Sequence, residues 1–202
     1  MLTPLLLSAC SVFGVRSTTP EPKFTVISQI GPVEIRHYAP RIAAETTVQA
    51  GPSAARYQGF RRLAAYIFGA NHRHSRIAMT TPVAQSPGER IAMTAPVTQS
   101  PSAQGWVIRF YMPANETLDT LPTPDDPQVR LVTLPATDDA VLRFSGSRSP
   151  AAVEKEQARL LELLAKTPWH PVGTPVAWFY DPPWTLPAFR RNEVAVEVRS
   201  AT

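Results

Sequence analysis

The sequence predicts an α+β fold, and three observations carry that prediction. Several short runs alternate apolar and polar side chains with the period of β-strands. Two segments instead repeat apolar residues at helical spacing, so each has one face to bury against a sheet. The elements follow in the order strands, helix, strands, and this order then recurs. It indicates two pseudo-symmetric halves, roughly residues 23–112 and 128–199, although no clear sequence repeat relates them.

The strands and the first helix can be placed from these patterns. The first helix is predicted over residues 52–68, with Phe60, Leu63 and Ile67 as its apolar stripe. Arg56 lies one turn earlier on the same face, which is unusual for a charged residue. Strands are predicted at residues 23–30, 33–38, 41–50, 105–112, 129–134, 140–144, 175–180 and 193–198.

The second helix has a clear beginning. Ser149 is a favourable N-cap residue, and Pro150 suits the first helical turn. The stripe expected to be buried consists of Val153, Gln157, Leu160 and Leu164.

A duplicated phrase stands between the two halves. Residues 76–86 recur at residues 90–100, and the copies differ only where Thr81 becomes Ala95 and Ala84 becomes Thr98. Each copy contains a proline, which lacks a backbone donor, so neither is expected to be a helix or a central strand throughout. The simplest interpretation is an extended hairpin that turns at residues 86–89.

Composition limits the class of protein. The 202 residues suit one domain with a substantial core, and 22 prolines indicate many stiff loops. The net charge of +4 comes mainly from arginines spread along the chain. Such a diffuse charge favours anions or acidic membranes, but without a basic motif it does not predict binding to nucleic acid.

The first residues resemble the signal of a bacterial lipoprotein. The single cysteine, Cys10, follows a short apolar run that ends in Ser8 and Ala9, small residues that a signal peptidase admits. No Lys or Arg precedes this run, so a disordered leader with a chance cysteine is the alternative. We expect residues 1–22 to be a signal and tether lipidated at Cys10, and residues 23–199 to be one domain facing the periplasm.

Few residues suggest chemistry. No nucleophile elbow, phosphate loop or dinucleotide fingerprint occurs, and we expect a protein that is not an enzyme. His72 and His74 form only a weak zinc signal. His37 shares a strand face with Val33 and Ile35. An imidazole on an apolar face is either a hydrogen-bonded core residue or a ligand to a bound group, and spacing alone leaves both open.

Six segments of the sequence form a recognisable set. They are VEIRHY at 33–38, GFRRL at 59–63 with YIFGAN at 66–71, the repeated IAMTxPV phrase, FYMP at 110–113, FSG at 144–146 and RNEV at 191–194. Taken together and in this order, they resemble the SOUL haem-binding protein family, and the resemblance covers about residues 24–199.

This resemblance implies a distorted antiparallel β-barrel of two β-α-β halves with two flanking helices. It also implies binding of haem or another tetrapyrrole. In some members the histidine of the strand that matches residues 33–38 is a proposed iron ligand, which makes His37 a possible ligand here. Phe60, Leu63 and Ile67 would form an apolar wall, and Arg56 could pair either with a haem propionate or with a carboxylate at the edge of the core.

Three functions follow as expectations. The first is a non-enzymatic carrier or buffer of haem, tethered to the bacterial envelope by a lipid anchor. The second is a structural or interaction lipoprotein that binds no haem. The third is a small-molecule effector-binding module, because related two-fold barrels bind apolar cations in their groove. Acidic residues in the groove would favour the third.

Overall fold

The computed structural model describes residues 20–72, 90–92, 94–182 and 184–201. Cys10 and the first copy of the duplicated phrase lie outside these residues, and so does the predicted hairpin turn. Two α-helices are described, α1 (Pro52–Ile67) and α2 (Pro150–Leu164). The strands are β1 (Phe24–Ile30), β2 (Val33–Tyr38), β3 (Arg41–Val48), β4 (Asn71–His72), β5 (Val97–Ser102), β6 (Gly105–Tyr111), β7 (Thr123–Pro124), β8 (Arg130–Leu134), β9 (Thr137–Phe144), β10 (Trp169–Phe179) and β11 (Asn192–Ser200).

Nine of these strands form one antiparallel sheet, in the order β1-β2-β9-β11-β10-β5-β6-β3-β8. The short strands β4 and β7 pair separately. The α+β class with a large antiparallel sheet and two helices is therefore confirmed. Within the described residues the outer strands β1 and β8 do not pair with each other, so the barrel implied by the resemblance is not confirmed.

The sheet contains two halves of the same topology. One half is β3-α1-β5-β6 and the other is β9-α2-β10-β11, and each half places its last strand between the other two. The halves meet where β5 pairs with β10, with Thr98 opposite Trp178. The pseudo-two-fold relation predicted from element order runs through this pair. The predicted bounds of the halves are wrong, because β1 and β2 extend the second half at β9 and β8 extends the first half at β3.

Both helices cover the same face of the sheet. Gln99 lies opposite Ala177 and Val97 lies opposite Phe179, and these four residues point to the helical side. Under α2 the core consists of Val33, Ile35, Ala140, Leu142, Val153, Leu160, Leu164, Ala177, Phe179, Val194, Val196 and Val198. Under α1 it consists of Ala44, Leu63, Tyr66, Ile67, Ile108, Phe110, Met112, Leu121 and Val129.

The buried stripe of α1 contains Leu63 and Ile67 as predicted, but its first half is shifted by one position along the helix. It contains Ala55 and Gly59, whereas Arg56 and Phe60 lie beside it and are only half-buried. The reason is the close approach of α1 to β6 at Gly59. A Cβ atom on that glycine would stand 2.4 Å from Cγ1 of Ile108. The helix turns its glycine to the sheet because no larger side chain fits there.

The second copy of the duplicated phrase is only partly a strand. β5 begins at Val97, directly after Pro96, and it lies in the centre of the sheet between β6 and β10. The expectation that this copy is not a strand throughout is confirmed. The proline marks where the strand starts.

The face away from the helices holds a buried polar cluster. Glu193 is fully buried, accepts hydrogen bonds from Arg36 at 2.9 and 3.3 Å, and contacts Arg191 at 3.0 Å. Tyr180 donates to the same carboxylate at 2.5 Å. Burial opposes ionisation of Glu193, but the hydrogen bonds and charges of the two arginines prevail and lower its pKa.

The start of the described chain docks onto this same face. Arg191 pairs with Glu21 at 2.8 Å, and the amide of Ala95 donates to the carbonyl of Pro20 at 2.9 Å. Residues 20 and 21 are thereby fixed to the domain. Separately, no helix in the described part of the chain has the length and apolar character needed to cross a bilayer.

Candidate functional site

A groove separates the first turns of the two helices at the pseudo-two-fold axis. Its cavity volume is about 40 Å³, below the range of about 300–1,000 Å³ for enclosed small-molecule sites, so a larger ligand would lie across its mouth. Its floor comes from the sheet and its walls from the helices. The lining residues are Pro52, Arg56, Gln99, Trp106, Arg148, Pro150, Val153, Glu154, Gln157 and Ala177.

Both helix N-termini point their positive dipole ends towards this groove. Pro52 and Pro150 are the first residues of α1 and α2, and both line it. Neither helix has an acidic residue in its first turn to offset the partial charge. The backbone therefore favours a negative charge in the groove before any side chain is considered.

Two arginines add full positive charges. Nη1 of Arg56 donates to the carbonyl of Arg148 at 3.3 Å, and Arg148 itself donates to the carbonyls of Asp181 and Pro182 at 2.9 and 3.3 Å. Both guanidinium groups stack near the ring of Phe179, at 4.7 and 5.8 Å from its centroid. Among the described residues, neither arginine forms a salt bridge with a carboxylate.

The surroundings of these two arginines destabilise their charged forms. Burial and, after it, the charges of Arg190 and Arg56 lower the pKa of Arg148 to about 10, although Asp181 acts in the opposite direction. Burial and the charge of Arg190 also lower the pKa of Arg56. Both groups remain protonated at neutral pH, so the charge of a bound anion would offset the cost of burial and the mutual repulsion.

A buried amide lies beside the phenyl ring that both arginines contact. Asn192 is fully buried, and within the part of the chain that the structure describes neither its side-chain oxygen nor its nitrogen has a hydrogen-bond partner. It stands next to Phe179 in the β10–β11 register, on the helical face of the sheet. Unpaired buried amides are uncommon and are frequently satisfied by water or a ligand.

One carboxylate balances these charges in part. Glu154, on the first turns of α2, lines the groove and is exposed to solvent. The lining thus contains two cationic side chains and one anionic one. Its charge favours an anion over the apolar cations that acidic residues would have indicated.

The structure brings only part of the sequence-predicted site to this groove. Arg56 lines it, and Phe60 lies one turn further along α1, where it packs against Phe110 with the ring centroids 5.4 Å apart. Leu63 and Ile67 are fully buried between α1 and the sheet, so they support the helix from below. Their predicted contacts with a ligand stay predictions.

His37 lies elsewhere. Ala177 on the groove floor pairs with Val194, which pairs with Leu142, which pairs with Val33. His37 is therefore three strand spacings away, roughly 14 Å across the sheet, and four residues further along its strand, roughly 13 Å. A ligand seated in the groove does not reach His37, because α2 also packs on the intervening strands.

The environment of His37 is nonetheless specific. Its side chain is 48% exposed, and Nδ1 makes a 2.7 Å hydrogen bond with Oδ1 of Asp138 on β9. His72 makes the same contact with Asp125, also at 2.7 Å. In the described residues no group of three or more His, Cys, Asp or Glu side chains is arranged to hold a metal ion.

Sequence reasoning does not find Arg148, Gln99 and Asn192. Arg148 stands immediately before the N-cap Ser149, so its position at a helix N-terminus was readable. Its meeting with Arg56 was not, because it depends on how β5 and β10 join the two halves.

Comparisons with known proteins identify the family. The model of the family described as SOUL heme-binding protein matches residues 19–197. No curated protein matches the chain.

Solved structures share the fold at low sequence identity. The C-terminal domain of EcmrR is similar with a TM-score of 0.57 and 11% identity, over 83% of this chain and 97% of that domain. A protein from Listeria innocua described as a hydrolase has a TM-score of 0.56 and 12% identity, over 86% of this chain and 94% of the other. At such identities the likeness concerns the fold alone. The match to the family model spans nearly the whole folded domain, and the chain belongs to the SOUL heme-binding protein family.

Proposed function

We propose that this protein binds haem or a related tetrapyrrole in the groove between α1 and α2, as a non-enzymatic carrier or buffer. The observation that carries the proposal is the pair Arg56 and Arg148, two desolvated cations without a salt-bridge partner among the described residues. Family membership supports the class of ligand, and the charge of the groove supports an anionic one.

The chemistry of the lining fits such a ligand. A tetrapyrrole is a large apolar plate with carboxylate groups at its edge. Arg56 and Arg148 would each form charge-assisted hydrogen bonds with a carboxylate, and the helix N-termini would add to the attraction. Trp106 would supply apolar surface against the plate, above a floor that includes the buried Ala177.

Iron ligation is not part of this arrangement. None of the described residues that line the groove is His, Met or Cys. Haem iron would supply a Lewis-acidic centre, but the residues present would contact only the carboxylates at the edge of the plate and part of its face. The proposal therefore assigns recognition to the carboxylates and the apolar macrocycle.

A haemin titration tests the proposal. The full chain carrying Cys10→Ser, which prevents lipidation, should bind about one haemin with an affinity that falls in Arg56→Gln and Arg148→Gln. Loss of a charge-assisted hydrogen bond of 1.5–3 kcal/mol corresponds to roughly tenfold to one hundredfold weaker binding. Arg143→Gln is the matched control, since Arg143 is exposed on the opposite face of the sheet. Non-saturating binding, or equal losses in all three variants, would contradict the proposal.

A second position for haem follows from His37. Ligating histidines usually donate their other ring nitrogen to a carboxylate, and Asp138 is placed to receive it. If this is the site, His37→Ala should shift the Soret band while both groove variants leave it unchanged.

We further propose that the domain is tethered in the bacterial envelope through Cys10, as the lipoprotein-like leader suggests. Incorporation of labelled fatty acid into the wild-type chain but not into Cys10→Ser would test this tether. A labelled Cys10→Ser chain would contradict it.

A further inference from the structure

The loop between β10 and β11 displays large apolar side chains to solvent. Trp184 is 62% exposed, Leu186 45% and Phe189 48%. These three large apolar side chains lie within six residues, and we call this segment of the loop the apolar tip; such clusters of exposed apolar side chains mark interaction sites. Thr185, between them, is fully buried.

Hydrogen bonds hold this loop in one conformation. The carbonyl of Pro187 accepts from the amide of Gly146 at 2.9 Å, and the carbonyl of Thr185 accepts from Nε of Arg190 at 2.7 Å. The side chain of Asp181 accepts from the amide of Arg191 at 2.6 Å. The apolar side chains are therefore presented on a fixed frame, so little entropy is lost when they are buried.

Positive charge lies directly against the loop. Arg148 donates to two carbonyls at its start, and Arg190 lies within it. These two arginines and Arg56 stand close enough to influence one another electrostatically, with Asp181 as a partial counter-charge. The surface thus combines an apolar tip, including a tryptophan, with three guanidinium groups.

We propose that this loop docks the folded domain onto an anionic phospholipid surface. Aromatic side chains favour the interface of a bilayer, where the ring is buried and its polar edge stays wet. Arginines close behind such an apolar tip attract anionic headgroups. Charge complementarity favours this partner over a second copy of the chain, whose identical loop would carry the same positive charge.

The inference goes beyond the tetrapyrrole proposal and does not depend on it. It is also independent of Cys10, because the contact belongs to the folded domain. Its consequence is orientation: the arginine end of the groove would face the lipid surface.

Vesicle sedimentation tests the contact. The full chain carrying Cys10→Ser should sediment with vesicles of phosphatidylglycerol and phosphatidylcholine, and less with phosphatidylcholine alone, because each arginine near an anionic surface strengthens binding about fivefold. Added salt should weaken the binding. In the same background, Trp184→Ser with Phe189→Ser should reduce the partition coefficient by about tenfold or more.

A matched pair controls for the loss of exposed aromatic surface. Tyr57 and Phe68 on and beside α1 are 62% and 57% exposed, so Tyr57→Ser with Phe68→Ser should bind vesicles as the background does. Should the loop pair fail to fold by circular dichroism, Leu186→Glu is the second variant, and it should also weaken binding.

Three results would overturn the proposal. One is unchanged vesicle binding in the folded loop variants, and another is equal binding to neutral vesicles. The third is a dimer in sedimentation velocity that the loop pair abolishes, which would show that the loop docks a second copy.

Discussion

The two halves of the molecule share one topology but differ in what they present to the groove. Both helices begin with a proline that lines it, Pro52 in α1 and Pro150 in α2. Four residues further, α1 carries Arg56 and α2 carries Glu154. A symmetric frame therefore encloses an asymmetric site, with its positive charge concentrated at one end.

The halves also differ in how they are connected and packed. Residues 68–96 separate α1 from β5, but only residues 165–168 separate α2 from β10. α1 approaches the sheet through Gly59, whereas α2 has Gln157 at the corresponding turn, and this side chain donates to the carbonyl of Pro175 at 2.9 Å. The two halves therefore share one topology, although the contacts made at equivalent positions of their helices differ.

The largest expected difference concerns buried carboxylates on the face away from the helices. Glu193→Gln removes the fully buried counter-charge of Arg36 and Arg191 and leaves them only their partly exposed partners, Glu34 and Glu21. We expect a loss of about 3–5 kcal/mol in the free energy of unfolding. Glu45→Gln should cost less, about 1–2 kcal/mol, because its partners Arg109 and Arg130 are 27% and 69% exposed and stay hydrated. Urea denaturation measures both values, and equal losses would contradict the distinction.

The same carboxylate predicts a dependence on pH. The pKa of Glu193 is lowered in the folded state, so its contribution is present above the ordinary carboxyl pKa and is lost as pH falls through the folded value. The stability difference between wild type and Glu193→Gln should therefore shrink in acid. A difference that is constant between neutral pH and pH about 3 would refute this sign.

Packing under the two helices should respond differently to the same substitution. Gly59→Val forces a side chain into Ile108 and should cost about 2–3 kcal/mol. Gln157→Val removes one hydrogen bond from a half-buried site and should cost about 1 kcal/mol. Thermal unfolding of both variants checks the order, and a tolerated valine at position 59 would show that α1 can move away from β6.

The smallest effects concern the helix N-caps. Ser149 accepts a hydrogen bond from the amide of Ala152 at 3.3 Å, and Ser149→Ala should cost about 1 kcal/mol. Gly51 at the equivalent position of α1 makes no side-chain cap, and a side chain there meets no neighbouring atom. Gly51→Ser should stabilise the protein by a few tenths of a kcal/mol. Destabilisation by the serine would mean that the two N-termini are not equivalent.

How far the sequence predicts the fold depends on whether a signal is local. The cap at Ser149 and the buried positions Val153, Leu160 and Leu164 of α2 are confirmed, because capping and periodicity act within one helix. The stripe of α1 is displaced because Gly59 carries no hydrophobic signal, and its burial follows from contact with a distant strand.

The start of strand β10 also depends on distant contacts that the local sequence does not show. It begins at Trp169, although Pro171, Gly173 and Pro175 suggested a start at residue 175. Only residues 177–179 of β10 pair with β5. The earlier prolines lie where β10 has no neighbour on that edge, so their missing backbone N–H groups cost no hydrogen bond to β5. The groove is harder still to predict from the sequence, because Arg56 and Arg148 come together only when the two halves join.

We propose that an anionic tetrapyrrole binds in the groove at the pseudo-two-fold axis, and amide chemical-shift mapping with a diamagnetic metalloporphyrin would locate it. We expect the largest shifts at Arg56, Gln99, Val153 and Ala177, from both helices and the floor between them. Shifts centred instead on Thr25, His37 and Asp138 would contradict it and would place the ligand on the far side of α2.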